Sequence, residues 1–238
     1  MQTIEVAKLA LVLIPALLVV LIQWQWSLKA GTSVYALARM VIQLCLIGYV
    51  LTYIFTSEHS ALVLLVLSVM VLVSSWISLR TVVDQRRRLY GCAILATLCV
   101  NGLLLALITQ LVLHSDPWYS PQIVIPLAGM VFAAGMNAIS LFAERYYSEL
   151  AVSTEAEQGG PSEQDARNTA YHATLIPTIN SLFAVGLVSL PGMMTGQILS
   201  GVSPLIAVRY QIMIMLMLFA SSGLTTALFY KLLRWKQT

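Results

Sequence analysis

The sequence predicts an all-α integral membrane protein with about seven transmembrane helices, its N-terminus outside and its C-terminus inside. Three observations carry this. The chain is 59% hydrophobic and only 10% charged over 238 residues, whereas soluble domains carry about 25% charged residues. Its mean hydropathy is +0.85, too apolar for a chain that must cover its own surface in water. Finally, the apolar residues fall into runs of bilayer-spanning length, and about 20 mostly apolar residues suffice for one crossing.

Taken in order, the spans are read at 6–26, 34–55, 61–79, 90–113, 122–143, 175–199 and 204–230. The first is too long for a signal-peptide core and has no small-residue cleavage site after it, so it reads as a retained anchor. Gln23, Trp24, Gln25 and Trp26 follow it as an interfacial belt. The second carries Arg39 and Gln43 on one face, and Arg39 lies near an end from which it can snorkel. Pro126, Gly129, Ala133 and Asn137 form a small-residue seam in the fifth. In the sixth, Gly192 and Gly196 are spaced for close helix approach, just after Pro191, which removes a helix hydrogen bond. The whole of 1–238 reads as one transmembrane domain.

Orientation follows from the basic residues, which collect on the cytoplasmic side. Arg80, Arg86, Arg87 and Arg88 crowd the connection after the third span, and Lys231, Arg234 and Lys236 mark the C-terminus. With Lys29, Arg39, Arg145 and Arg167, eleven of the thirteen Lys and Arg residues fall on one side of a seven-span chain. The net charge of +3 is therefore topological, and no nucleic-acid patch is visible. Cys45, Cys92 and Cys99 all lie within spans with no CxxC pair, so they read as small packing residues.

One long polar segment, about 144–174, interrupts the apolar pattern on the inner side. Gln158-Gly159-Gly160-Pro161-Ser162 must turn, and Ser162 followed by Asp165 has the spacing of a helix N-cap. The segment therefore reads as helix, turn, helix, or as a solvated loop. No Walker A, HExxH or GxSxG motif is present, so ATP-driven work would need another chain. Asn101, Asn137 and Asn180 are expected to hydrogen-bond between helices. Met130, Met136, Met193, Met194, Met213, Met215 and Met217 are seven of the ten methionines and lie in the last three spans. They read as core filling ahead of soft-metal ligation.

Several stretches resemble the FetB-type permeases, bacterial ATP-binding-cassette membrane subunits linked to iron export, and their plant aluminium-sensitivity relatives. They are Pro117-Trp-Tyr-Ser-Pro-Gln-Ile-Val-Ile-Pro-Leu-Ala-Gly-Met130, Leu175-Ile-Pro-Thr-Ile-Asn-Ser181, Val185-Gly-Leu-Val-Ser-Leu-Pro-Gly-Met-Met-Thr-Gly-Gln-Ile-Leu199 and Ala207-Val-Arg-Tyr-Gln-Ile212. The resemblance departs at Ala133-Ala134, where the family has Gly-Asn, and in the polar turn, which is here shorter and acidic.

The resemblance implies a multi-pass permease of the bacterial inner membrane that exports iron or another metal ion. It would work as a homodimer with two copies of a cytoplasmic ATPase. ATP and Mg would sit on that partner, and this chain would bind no cofactor of its own and carry no catalytic residue. Glu155, Ala156, Glu157, Gly159 and Gly160 fall where a coupling element would dock on the ATPase. Met136, Asn137, Met193, Met194, Arg209 and Gln211 fall on the implied translocation path, and Gly186, Pro191, Gly192 and Gly196 on a hinge. The rival expectation is a channel or secondary transporter independent of ATP.

Overall fold

The computed structural model describes residues 6–55, 59–155 and 162–236, and among these the regular structure is helical. The residues form two compact units, Met1–Ser57 and Glu58–Thr238. The first holds α1 (Val6–Gln25) and α2 (Ala30–Phe55). The turn between them has the hydrogen bonds of a Schellman motif. The Leu28 amide bonds the Gln23 carbonyl at 2.8 Å and the Ser27 amide bonds the Trp24 carbonyl at 3.1 Å, with Ser27 left-handed at φ 56°. Leu11, Ile42 and Tyr49 are exposed, as most apolar side chains of this unit are, which suits a lipid environment.

The second unit contains α3 (Ser60–Ser78), α4 (Val83–Val112), α5 (Pro121–Glu155), α6 (Glu163–Ala184), α7 (Gly192–Leu199) and α8 (Pro204–Trp235). Its centre is α5, which packs against α3, α6 and α8. Ala128, Val131, Ala138, Phe142 and Tyr146 are buried in α5, together with Gly135. Their steps of three and four residues keep them on one face. Ala93, Ala96, Ala143, Ala166 and Ala170 are wholly buried, as expected where helices in lipid associate by close packing of small residues. At one end, Phe142 stacks on Tyr146 at 5.4 Å and meets Phe229 edge-on at 6.3 Å.

Five helical stretches are long and apolar enough to cross a bilayer: Ala30–Phe55, Ser60–Ser78, Val83–Val112, Pro121–Val152 and Pro204–Trp235. A shorter apolar stretch, Leu11–Gln25, belongs to α1. One difference from the sequence reading stands out. The expected span 175–199 is no single helix, because α6 ends at Ala184 and α7 begins at Gly192. Of the two readings of the polar segment, the helical one describes its start: α5 continues to Glu155, supported by an Arg145–Glu149 ion pair at 2.7 Å one turn apart. The helix that Ser162 was expected to start is present, with a complete capping box. The Asp165 amide bonds Ser162 Oγ at 3.2 Å and the Ser162 amide bonds Asp165 Oδ2 at 3.1 Å. The Ser162 hydroxyl, donating to Asp165 Oδ2 at 2.6 Å, and then the Ser162 amide hold the Asp165 carboxyl below its ordinary range.

Within α4, two stretches, Thr97–Asn101 and Leu107–Val112, are wound as π-helix. Asn101 closes the first and is fully buried. Its Oδ1 accepts from Ser221 Oγ at 2.7 Å and Thr225 Oγ1 at 3.1 Å, tying α4 to α8. Its Nδ2 lies against Gly135 of α5, only 2.5 Å from where a Cβ would stand. Glycine is therefore required at 135 for contact rather than for torsion. The corner from α3 to α4 is closed by Arg86, whose Nε and Nη2 donate to the Trp76 carbonyl at 3.1 and 2.7 Å. The guanidinium lies over the Trp76 ring, 3.7 Å from its centroid.

Gly135→Ala should destabilise the protein by about 1–3 kcal/mol, read as a lower melting temperature in detergent. In an Asn101→Ala background the same change should have a smaller effect, because the atom it meets is gone. An equal loss in both backgrounds would show that the contact is not the cause.

Candidate functional site

The gap between α6 and α7 is written into the sequence. Gly186 sits at φ +84°, a region that only glycine enters without strain. Pro191 has no amide to continue a helix. Between them the chain doubles back on Ala184, whose carbonyl accepts from the amides of Leu187, Val188 and Ser189 at 3.3, 2.8 and 3.1 Å. The Gly186 amide bonds the Ser189 carbonyl at 2.9 Å. Then α7 runs eight residues and ends in a second left-handed glycine, Gly201 at φ +93°. The Val202 amide bonds the Gln197 carbonyl and the Gly201 amide bonds the Ile198 carbonyl, both at 3.0 Å, which is again the Schellman arrangement.

This broken stretch forms one wall of a cavity of about 780 Å³ between α5, α6 and α8. That size suits a small-molecule site. In membrane proteins, irregular backbone is tolerated where it is covered by protein or lines a water-filled cavity, and interrupted helices often mark binding sites. The walls carry three thioethers, Met130, Met193 and Met215, and two carboxamides, Asn137 and Gln211. Hydroxyls come from Thr178, Ser181 and Ser189 among others. Thr178 and Ser222 share a hydrogen bond of 3.2 Å, and Ser181 turns back to the Pro177 carbonyl at 2.9 Å. Among the described residues, no ionisable side chain lines this cavity. Nor do three or more His, Cys, Asp or Glu side chains gather into a metal site.

The structure gathers part of the expected path. Asn137, Met193 and Gln211 line the cavity together with Pro191 and Gly192. Met194 lines a smaller neighbouring cavity of about 290 Å³, whose wall also includes Gly186, Gln211 and Met215. Met136 is half-buried on α5 and Arg209 is exposed near the start of α8, and neither lines these two cavities. Gly196 lies in the middle of α7. Among the described residues nothing lies within 4 Å of where a Cβ on Gly192 or Gly196 would stand, so no close helix approach is made there within the chain. Sequence reasoning assigned Met130 and Met215 to core filling and passed over Thr178 and Ser189. Their one common signal is that they flank the Gly186–Pro191 interruption or face it from another helix. Of the three cysteines, Cys92 is buried in the core and Cys45 and Cys99 are exposed.

Glu155 is the last residue of α5; Ala156, Glu157, Gly159 and Gly160 lie outside the described residues. Their margin, however, is well defined. Glu163, the first residue of α6, accepts from Tyr146 Oη at 3.1 Å and Tyr230 Oη at 3.4 Å. It also forms an ion pair with Arg234. One carboxylate therefore joins α5, α6 and α8 where they meet the polar turn. The Arg234 guanidinium, followed by the tyrosine hydroxyls, holds the Glu163 carboxyl below its ordinary range. At the same end, Lys236 Nζ donates to the Arg88 carbonyl at 2.7 Å, placing the start of α4 beside the end of α8.

A second cavity, of about 630 Å³, is walled mainly by Leu64, Val71, Leu98, Leu105 and Phe132. Its lining is mostly apolar, with Ser68, Thr109 and Gln110 as its polar side chains.

The lowered carboxyl sets a sign for pH dependence. The Glu163 contribution to stability is complete above the unfolded value of about 4.3 and is lost as pH falls through the lower folded value. Glu163 is 38% exposed, and solvent screening limits its worth to about 1 kcal/mol or less. Wild type should melt above Glu163→Gln at neutral pH, and the two melting curves should converge on acidification. A gap that persists or widens in acid would contradict this assignment.

Comparison with known proteins completes the description of the site. The sequence profile of the group described as Uncharacterised protein family (UPF0014) matches residues 6–236. The UPF0014 membrane protein slr1647 of Synechocystis is 35% identical over 216 residues, which span 87% of this chain and 83% of the relative. The protein named Probable iron export permease protein FetB of Escherichia coli is 33% identical over 92% of this chain and 86% of its own length. Protein ALUMINUM SENSITIVE 3 of Arabidopsis thaliana is 30% identical over 92% of this chain and 82% of its own. No solved structure matches the chain.

Proposed function

The chain belongs to the UPF0014 family of membrane proteins, and from that premise we propose that it is the membrane-spanning permease subunit of an ATP-binding-cassette transporter. It exports iron or another metal ion across the bacterial inner membrane, working as a homodimer with two copies of a separate cytoplasmic ATPase. The observation that carries this reading is the cavity of about 780 Å³ beside a broken helix, in a chain that has no nucleotide-binding motif and has a relative named as a permease.

In this reading the chain crosses the bilayer about seven times with the N-terminus outside: through α1 to α5, then through 175–199, where the apolar end of α6 and α7 act together across the Gly186–Pro191 break, and finally through α8. Two features support it. The basic residues gather on one side of the sequence topology, and the ends of α5 and α8 meet the starts of α4 and α6 at one end of the second unit. That end faces the cytoplasm and the ATPase. The segment Glu155, Ala156, Glu157, Gly159 and Gly160 receives the motion of the ATPase. Glu163 passes it to α5, α6 and α8 through the contacts with Tyr146, Tyr230 and Arg234. Gly186 and Pro191, with Gly192 and Gly196 beyond them, let the cavity wall move while α6 stays intact.

Both subunits reconstituted into vesicles should move iron only when ATP is present, and the permease alone should move none. Metal flux without the ATPase would instead identify a channel or secondary transporter. Replacing Glu155 and Glu157 together by Lys should leave ATP hydrolysis running while flux falls roughly 5–150-fold, the range of typical coupling energies. Undiminished flux would remove this segment from the mechanism.

A further inference from the structure

The amino end of α7 carries amides without helical partners, and its first two residues line the main cavity. Pro191 stands at the N-cap and no side chain caps the helix. Its first amide-to-carbonyl bond runs from Thr195 to Pro191 at 3.0 Å. The amides of Gly192, Met193 and Met194 therefore precede the intrahelical ladder and have no backbone acceptor. Gly192 and Met193 line the cavity, so the positive end of the helix dipole lies at its wall.

A second observation comes from α8. Gln211 is 5% exposed and lines the same cavity, and its carboxamide makes no hydrogen bond among the described residues. Buried amides almost always have partners, so this one stands ready for a bound acceptor. Asn137 adds a further exposed carboxamide on the α5 wall.

What the walls lack is equally informative. Carboxylates and imidazoles, common ligands of hard and transition metal ions, are absent from the cavity lining among the described residues. Helix-start amides with an unpaired carboxamide, and no carboxylate to repel an anion, make an oxyanion receptor. We propose that this cavity binds a carboxylate oxyanion belonging to an organic metal chelate. The metal then leaves inside the shell of its ligand, and the protein grips the ligand rather than the ion. Met130, Met193 and Met215 pack against the carbon skeleton of the chelate. The inference rests on the permease reading and gives it a substrate class.

The test titrates full-length protein in nanodiscs with ferric citrate, citrate alone, ferrous ion alone and inorganic phosphate, following heat of binding. Ferric citrate and citrate should bind saturably, and ferrous ion should not. Gly192→Pro removes one amide from a position where proline fits a first helical turn, and Pro191 already has the extended ψ of 143° that a following proline demands. Gln211→Leu removes the carboxamide at nearly constant volume. Each should weaken citrate binding at least tenfold while the melting temperature without ligand stays within a few degrees. Saturable ferrous binding without citrate binding, equal affinity for phosphate, or citrate binding indifferent to both variants would overturn the proposal. Failure of the permease reading is distinct: it would appear as citrate binding in nanodiscs without ATP-driven flux in vesicles holding both subunits.

Discussion

A peptide group without a hydrogen-bond partner is expensive in hydrocarbon, and the architecture answers to that constraint. The chain is helical nearly throughout its described residues, and helices satisfy their own amides and carbonyls. The stretch from Val185 to Pro191 departs from this, and it lies against the cavity of about 780 Å³. Its amides double back on Ala184, yet the amide of Leu190 and the carbonyls of Gly186, Leu187 and Val188 find no backbone partner. The second unit can keep such a stretch because water or cargo can reach it. The cavity beside Phe132 differs: its wall is helical, in part π-wound at Leu98, Thr109 and Gln110, and mostly apolar.

The opposite end of the second unit is built differently. There the contacts are aromatic and ionic, and they are closed. Phe142, Tyr146 and Phe229 fill the space between α5 and α8, and Glu163 gathers two tyrosines and an arginine. Close packing of this kind moves as a body rather than deforming. The Asn101 cluster, where a π-wound turn of α4 meets Ser221 and Thr225 against Gly135, lies alongside the main cavity, whose wall runs from Met130 to Leu141 on α5 and includes Ser222.

Much of this was legible in the chain. Long apolar runs gave the helices, because hydropathy reports the solvent each face will meet. Ser162 and Asp165 announced the start of α6, since a capping box is a local device that needs no tertiary context. The helical continuation of α5 was legible only as one of two readings, because the charges at Glu144, Arg145 and Glu149 resemble a loop by composition. The four-residue spacing of Arg145 and Glu149 was the counter-signal. The interruption of the expected sixth span was hidden for the opposite reason. Leu187, Val188 and Leu190 continue an apolar run, and hydropathy does not report backbone conformation. Only Gly186 and Pro191 hinted at it. Nothing local foretold the π turns of α4, which are made visible by the tertiary partners of Asn101. At the cavity, Asn137, Met193 and Gln211 came from a familiar motif. Met130 and Met215 did not, because a thioether in a core and one on a cavity wall look alike in sequence.

The short helix α7 is strung between two swivels, Gly186 and Gly201, each left-handed. Eight residues make a rod of about 12 Å. Pivoting such a rod about one end sweeps its far tip roughly 0.2 Å per degree, so about 15° shifts the tip by some 3 Å. The rod is a paddle: a modest turn could narrow or widen the mouth of the chamber by about the width of an atom while the long helices around it hold still.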